Sequence, residues 1–201
     1  STQIRRSYAI VNALLSNWDQ PGGLLGARAV GLKSGIPYEA PWYDENPPER
    51  VDAHMSTLMF EEEGSFKHMR DAIIAEKPYP VKGWISYKTN FMQSAANRAK
   101  TIEMIRHLDF MMVVDIAMTD TAWMADLVLP APSYLERMDP ASALQGSSAC
   151  ACVVMRDPVV PAMFESRDAF WIFKNLAGRL GLAEFFDFTM EDFRKAQLAG
   201  L

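Results

Sequence analysis

The sequence predicts an α/β fold, a three-layer αβα domain on a mostly parallel sheet. Segments with helical apolar spacing alternate with short apolar runs, in the order helix, strand, helix, strand, helix, strand. The runs Val81–Tyr87 (VKGWISY) and Phe110–Ile116 (FMMVVDI) lack polar alternation, as strands covered on both faces do. With 201 residues, 49% of them hydrophobic, the chain is long enough to bury a core without covalent staples. One α/β domain over 1–201 is expected, as a piece of a larger protein, because STQIRRSYAIVNALL opens as though already inside an amphipathic helix.

That helix places Ile4, Tyr8, Val11, Leu14 and Leu15 on one face, and the turn residues of DQPGG end it. A Gly/Pro-rich segment follows to about Arg50, bearing Tyr38, Trp42 and Tyr43. A loop this long is expected to wrap another part of a larger protein or to pack on its own side chains. Phe66–Glu76 is a second helix, with Phe66, Met69, Ile73 and Ile74 on one side and Pro78 and Pro80 beyond its end. The strand VKGWISY leads into the polar loop KTNFMQSAANR. A helix over Asn97–His107, carrying Ile102, Ile105 and Leu108, then runs into the strand FMMVVDI. Thr119 or Asp120 can cap a short helix at TDTAWMA. Leu127–Leu129 is a very short strand ended by Pro130, and Val153 and Val154 mark another. Asp168–Leu180 is a helix closed by Gly181, and a last helix spans about Met190–Leu198.

In such sheets ligands occupy the crevice beyond the strands' carboxyl ends. Two stretches fall there, Lys88-Thr89-Asn90 and Asp115. An acid at a strand's end accepts hydrogen bonds from a ribose or a base amino group, and an asparagine offers both donor and acceptor. Each also has an ordinary role, Asp115 as a cap on the following turn and Asn90 as a left-handed turn residue. No G-x-G-x-x-G follows a strand and no Walker lysine motif exists, which disfavours ordinary NAD sites and P-loops. The net charge of −5, with signs interspersed, excludes a nucleic-acid-binding face. No apolar run reaches the roughly 20 residues of a membrane span, so direct membrane insertion is not expected. Cys150 and Cys152 complete no tetrahedral zinc site, and His54, His68 and His107 have no metal-triad spacing.

The run RHLDFMMVVDIAMTDTAWMADLVLPAPSYLERMDP resembles the signature of the dimethyl sulfoxide reductase family of molybdopterin oxidoreductases. That pattern is a hydrophobic strand, an acid, T-x-T-A, A-D-x-V-L-P and then E-R. Here it is carried by Asp115, Thr119–Ala122, Ala125–Pro130 and Glu136-Arg137. ALLSNWDQPGG, YKTNFMQSAANR and SRDAFWIFKNLAGRLGLAEFF are similar to further family segments in the same order. Among subfamilies the chain looks most like catalytic subunits of polysulfide and thiosulfate reductases, with respiratory arsenate reductases and formate dehydrogenases as near alternatives.

The resemblance implies a Rossmann-like domain that cradles the nucleotide tail of one molybdopterin guanine dinucleotide of a molybdenum bis-cofactor. Carried over position by position, Asn90 contacts the cofactor, and Asp115 with the Val114 backbone binds the guanosine portion. Arg137 lies near the phosphates or base, or else pairs with Glu136, Asp139 or another nearby acid. Asp168 contacts the nucleotide or caps its helix. An iron–sulfur cluster and the metal's protein ligand are expected outside this chain, since neither a cysteine run nor a matching ligand segment is present. The chain alone is therefore expected to hold no metal and to catalyse nothing. QGSSACACVV departs from the family's usual asparagine-glycine-arginine run and carries no residues over. Implied partners are the other domains of the same catalytic subunit, an iron–sulfur electron-transfer subunit and a membrane anchor. The implied location is periplasmic, with the cytoplasm open. A stand-alone α/β nucleotide-binding or interaction module and an NAD-dependent oxidoreductase are the competing readings.

Overall fold

The strand at the centre of the fold is β2, Phe110–Asp115, and its sequence explains its place. Consecutive residues of a strand point to opposite faces. Met111 and Val113, each 1% exposed, enter one apolar cluster, while Met112 (5%) and Val114 (0%) enter another. An unbroken apolar run is thus what a strand buried on both faces requires. β1 (Gly83–Tyr87) and β3 (Leu127–Pro130) pair with β2 on either side, both parallel to it, to give the order β1-β2-β3. The computed structural model describes residues 2–24, 30–36, 49–52, 64–144, 152–199 and 201. Tyr38, Trp42, Tyr43, His54 and Cys150 lie outside the described residues.

The chain divides into two compact units, one of them 40–137 with 158–185. In that unit helices cover both faces of the parallel sheet. On one face lie α2 (Phe66–Ala75), α3 (Phe91–Ser94) and α4 (Arg98–Arg106). They contribute Ile73, Phe91, Met92 and Met104 to the cluster around Met111 and Val113. Phe66, Trp84 and Phe91 pack at ring-centroid distances of 5.3 to 6.3 Å. Burying each such side chain contributes about 1.5–3 kcal/mol. α4 starts at Asn97, whose left-handed backbone (φ 65°) lets its side chain accept from Lys100 N at 3.1 Å. On the opposite face α5 (Ala169–Arg179) sets Ile172 against Met112, Val114 and Ala131. Asp168 caps α5 by accepting from Trp171 N at 2.8 Å, and Gly181 follows the helix at φ 77°.

The other unit comprises 1–39, 138–157 and 186–201. It contains α1 (Thr2–Leu14), β4 (Asp139–Leu144), β5 (Cys152–Arg156) and α6 (Met190–Leu198). β4 and β5 form an antiparallel pair, an addition to the expected parallel architecture. β4 reads DPASAL, with a proline and small residues, so no strand signal stood in the sequence. α6 packs on β4 through Gln197, which bonds both the N–H and the C=O of Ala141 at 2.8 and 3.1 Å. The guanidinium of Arg194, a residue 8% exposed, donates to Asp139 O at 2.8 Å, to Asp157 Oδ1 at 2.5 Å and to Arg156 O. α1 forms where its apolar spacing predicts, but Ile4, Tyr8, Val11 and Leu14 are exposed, Leu14 at 80%. Among the described residues no helix is long and apolar enough to cross a membrane.

Candidate functional site

Because β1, β2 and β3 are parallel, their carboxyl ends share one edge, where Asp115 closes β2, Asn90 follows β1 by three residues and Asp168 is brought to the end of β3. After β1, Lys88 takes a left-handed conformation (φ 57°) and its N–H donates to Val114 O at 3.2 Å. This ties the β1 loop to the end of β2. Ser86 Oγ donates to Thr89 O, and Thr89 Oγ1 donates to Tyr87 O, each at 3.2 Å. The loop therefore delivers Asn90 to the start of α3 by local hydrogen bonds. Asn90 has φ −97°, so it does not take the left-handed turn conformation, and its side chain does not cap α3.

Asp115 closes β2 and is half-buried. Its Oδ1 accepts from Ile116 N at 2.7 Å and its Oδ2 from Thr119 Oγ1 at 3.4 Å. The carboxylate thus caps the turn after β2. A carboxylate has about four acceptor sites, so capacity remains for further donors. Val114 is fully buried, and its carbonyl already accepts from Lys88. Arg167 N donates to Pro130 O at 3.1 Å, which brings Asp168 to the end of β3. There the Asp168 carboxylate serves as the α5 cap. Arg137, seven residues beyond β3, donates from Nη1 to Pro132 O at 3.1 Å.

Two residues of the T-x-T-A motif acquire roles beyond the cap expected of Thr119, whose hydroxyl accepts from Ala122 N at 3.3 Å. Thr119 meets Asp115, and Thr121 Oγ1 donates to Asn90 Oδ1 at 2.9 Å. A single three-residue segment thus holds both candidate ligand-binding side chains. Lys88 is a further unassigned feature, a cation at this edge whose Nζ lies 4.8 Å from the Tyr87 ring centroid. The quoted loop KTN contained it, but nothing in the sequence placed it beside β2.

A cavity of about 390 Å³ opens at the ends of β2 and β3, lined by Ile116, Pro130, Ala131, Ser133, Glu136 and Ser166 among others. A second, of about 420 Å³, extends along the flank of β3 and α5 and is lined mostly by apolar side chains, including Leu127, Leu129 and Trp171. Among the described residues no group of three or more His, Cys, Asp and Glu could hold a metal ion.

This geometry defines an α/β domain whose polar side chains gather at the carboxyl edge of a parallel sheet, the arrangement of nucleotide-cradling proteins. The chain belongs to the molybdopterin oxidoreductase family, whose model matches residues 3–179. It is similar to the molybdopterin-containing subunit of thiosulfate reductase from Salmonella typhimurium, 27% identical over 97% of this chain and 27% of that protein. It is also similar to acetylene hydratase from Syntrophotalea acetylenica, at 32% identity over 71% of this chain and 19% of that protein. The assimilatory nitrate reductase catalytic subunit of Bacillus subtilis is 26% identical over 88% of this chain and 25% of that protein. The solved structure of acetylene hydratase from Pelobacter acetylenicus superposes with a TM-score of 0.55 and 26% identity, covering 66% of this chain and 18% of that one. The chain thus spans about a quarter or less of each of these relatives.

Proposed function

We propose that this chain holds the guanosine nucleotide of a molybdopterin guanine dinucleotide at the carboxyl edge of β1–β3. The parent protein would be a molybdenum oxidoreductase acting on a sulfur compound such as thiosulfate or polysulfide. The observation that carries the nucleotide reading is that Asn90 and Asp115, each following a parallel strand, are both tethered to the segment Thr119–Thr121, with a cavity opening at Ile116, one residue beyond Asp115. The donor set fits the group. Asp115 is an acceptor for the N1 and N2 donors of guanine or for a ribose diol. Lys88 and Arg137 are the cations at hand for diphosphate oxygens, with the planar guanidinium the better geometric match.

When bound, the cofactor supplies the atom- and electron-transfer chemistry of its metal. This chain's residues would bind and orient the nucleotide tail, and so fix where the distant metal stands. The sulfur-compound reading rests on the similarity to the thiosulfate reductase subunit across 97% of the chain. The acetylene hydratase similarity supports a wider reading, in which the same cradle serves parents of differing reaction. An iron–sulfur partner subunit, a membrane anchor and a periplasmic location would follow from the sulfur-reductase parent.

The test is nucleotide content. Protein expressed from its complete gene is purified, the nucleotide is released by acid, and guanine nucleotide and molybdenum are quantified. Each charge-assisted hydrogen bond to Asp115 contributes about 1.5–3 kcal/mol, so Asp115→Ala should weaken retention about 10- to 150-fold. The fold should persist, because the strand's buried residues are Met111–Val114. Wild-type protein without guanine nucleotide, or a fully loaded Asp115→Ala variant, would overturn the reading.

A further inference from the structure

The geometry points to Thr121 as a positioning residue that fixes Asn90 as a hydrogen-bond donor, with Thr119 orienting the acceptor carboxylate of Asp115 beside it. This rests on the nucleotide reading and deepens it. Thr121 is fully buried, with a relative exposure of 0%. Its hydroxyl accepts from Met92 N at 3.1 Å, a group that can only donate. One hydroxyl proton remains, and Asn90 Oδ1 lies 2.9 Å away to receive it.

The opposite amide orientation would leave that proton without an acceptor in a dry interior, which is costly. The carbonyl of Asn90 therefore points inward and its NH₂ group outward. One outward N–H meets Gln93 Oε1 at 3.2 Å, an exposed contact open to exchange with water or ligand. The Asn90 side chain is thus fixed as a donor, suited to a phosphate oxygen or a base carbonyl.

Thr119, two residues earlier, orients the Asp115 carboxylate in a similar way. Its hydroxyl accepts from Ala122 N at 3.3 Å and donates to Asp115 Oδ2 at 3.4 Å. Asp115, acceptor-only while ionised, faces the ligand's donors. A nucleotide supplies this complement, with acceptors on the phosphates or base carbonyl and donors on the base or ribose. The ligand class selected is one that places acceptors opposite Asn90 and donors opposite Asp115.

The experiment measures how fast guanine nucleotide is lost from protein expressed from its complete gene, by dilution, desalting and quantification over time, beside the melting temperature. Thr121→Val keeps the shape and removes the hydroxyl, and should speed loss about 10-fold, the worth of one released hydrogen bond of ordinary strength. Thr121→Ser restores the hydroxyl and should restore retention. Asn90→Asp keeps an inward oxygen for Thr121 but turns an anionic acceptor outward, and because the Asn90 side chain does not cap α3 the exchange removes no capping bond. It should lose nucleotide at least as fast as Thr121→Val, with an unchanged melting temperature. Asn90→Asp carries the test should Thr121→Val fail to fold. Retention at the wild-type rate in Thr121→Val or Asn90→Asp, or a Thr121→Ser variant as defective as Thr121→Val, overturns the inference alone. A wild-type protein carrying no guanine nucleotide overturns the nucleotide reading and this inference with it.

Discussion

The parallel sheet around β2 and the antiparallel pair β4–β5 are held by different forces. β2 is fixed by apolar burial on both faces, with Met111, Val113, Met112 and Val114 divided between two clusters. β4 buries only small apolar surface, Ala141 being its one core residue among those described. Its order depends on polar anchors reaching from α6, the Gln197 amide on the Ala141 backbone and the Arg194 fork on Asp139 O, Arg156 O and Asp157. Apolar burial is non-directional and tolerates small shifts. A fork of charge-assisted hydrogen bonds is directional and fails when one member is lost. The sheet that carries the candidate site thus has the more forgiving support.

The largest effect is expected from emptying the first cluster. Met111→Ala removes a side chain 1% exposed and leaves a cavity between α4 and the sheet, at a cost of about 2–5 kcal/mol. Hydrogen exchange should quicken across β1 and β2 while β4 and β5 keep their protection. Equal acceleration in both regions would show that the two do not differ in the way described. Arg194→Ala should act on the other side of the comparison. It leaves the Asp139 and Arg156 carbonyls without that donor and costs about 1–3 kcal/mol, read as faster exchange in β4 and β5. Arg194→Lys should recover only part, because an ammonium cannot reproduce the planar fork. Full recovery by lysine would mean that charge alone holds the pair.

The same contrast explains what was legible in the sequence. Apolar runs and helical periodicity show themselves residue by residue, so FMMVVD and the helices at 66–75, 98–106, 169–179 and 190–198 could be placed within a few residues. DPASAL could not, since its strand state depends on Arg194 and Gln197, more than fifty positions away. α1 was legible as an amphipathic helix, but not that its apolar face would be exposed. At the candidate site Asn90, Val114, Asp115, Arg137 and Asp168 were singled out through motif position, and the hydrogen bonds of Thr119 and Thr121 bring Asn90 and Asp115 to one segment. Thr119 was expected only as a cap, which its bond from Ala122 N provides, and its contact with Asp115 and the role of Thr121 were not found. A threonine's hydroxyl reveals its role only through its partner, and Asn90 lies 31 residues from Thr121.

The smallest expected effect is at the start of α6, and it sharpens the comparison because it probes polar support without burial. Thr189 and Asp192 form a reciprocal capping box. Thr189 Oγ1 accepts from Asp192 N at 3.1 Å, and Asp192 Oδ2 accepts from Thr189 N at 3.0 Å and from Thr189 Oγ1 at 2.6 Å. These bonds, first from the Thr189 side chain and then from its backbone, hold the Asp192 carboxyl below its ordinary value of 3.8. A depressed carboxyl contributes stability above its unfolded pKa, and that stability fades as pH falls through the lower folded value. Acidification from neutral should therefore leave the α6 cap intact until pH drops below about 4, the unfolded range for aspartate. It should then loosen the first turn of α6. Asp192→Asn keeps an acceptor for Thr189 and removes the titration, so the first-turn amides should exchange at a rate set by the neutral capping box, with no acid-induced step. The measurement is amide exchange at residues 190–193 against pH in both forms. An acid step that persists in Asp192→Asn would assign the pH dependence to another group and leave α6 held by its Gln197 and Arg194 contacts rather than by its cap.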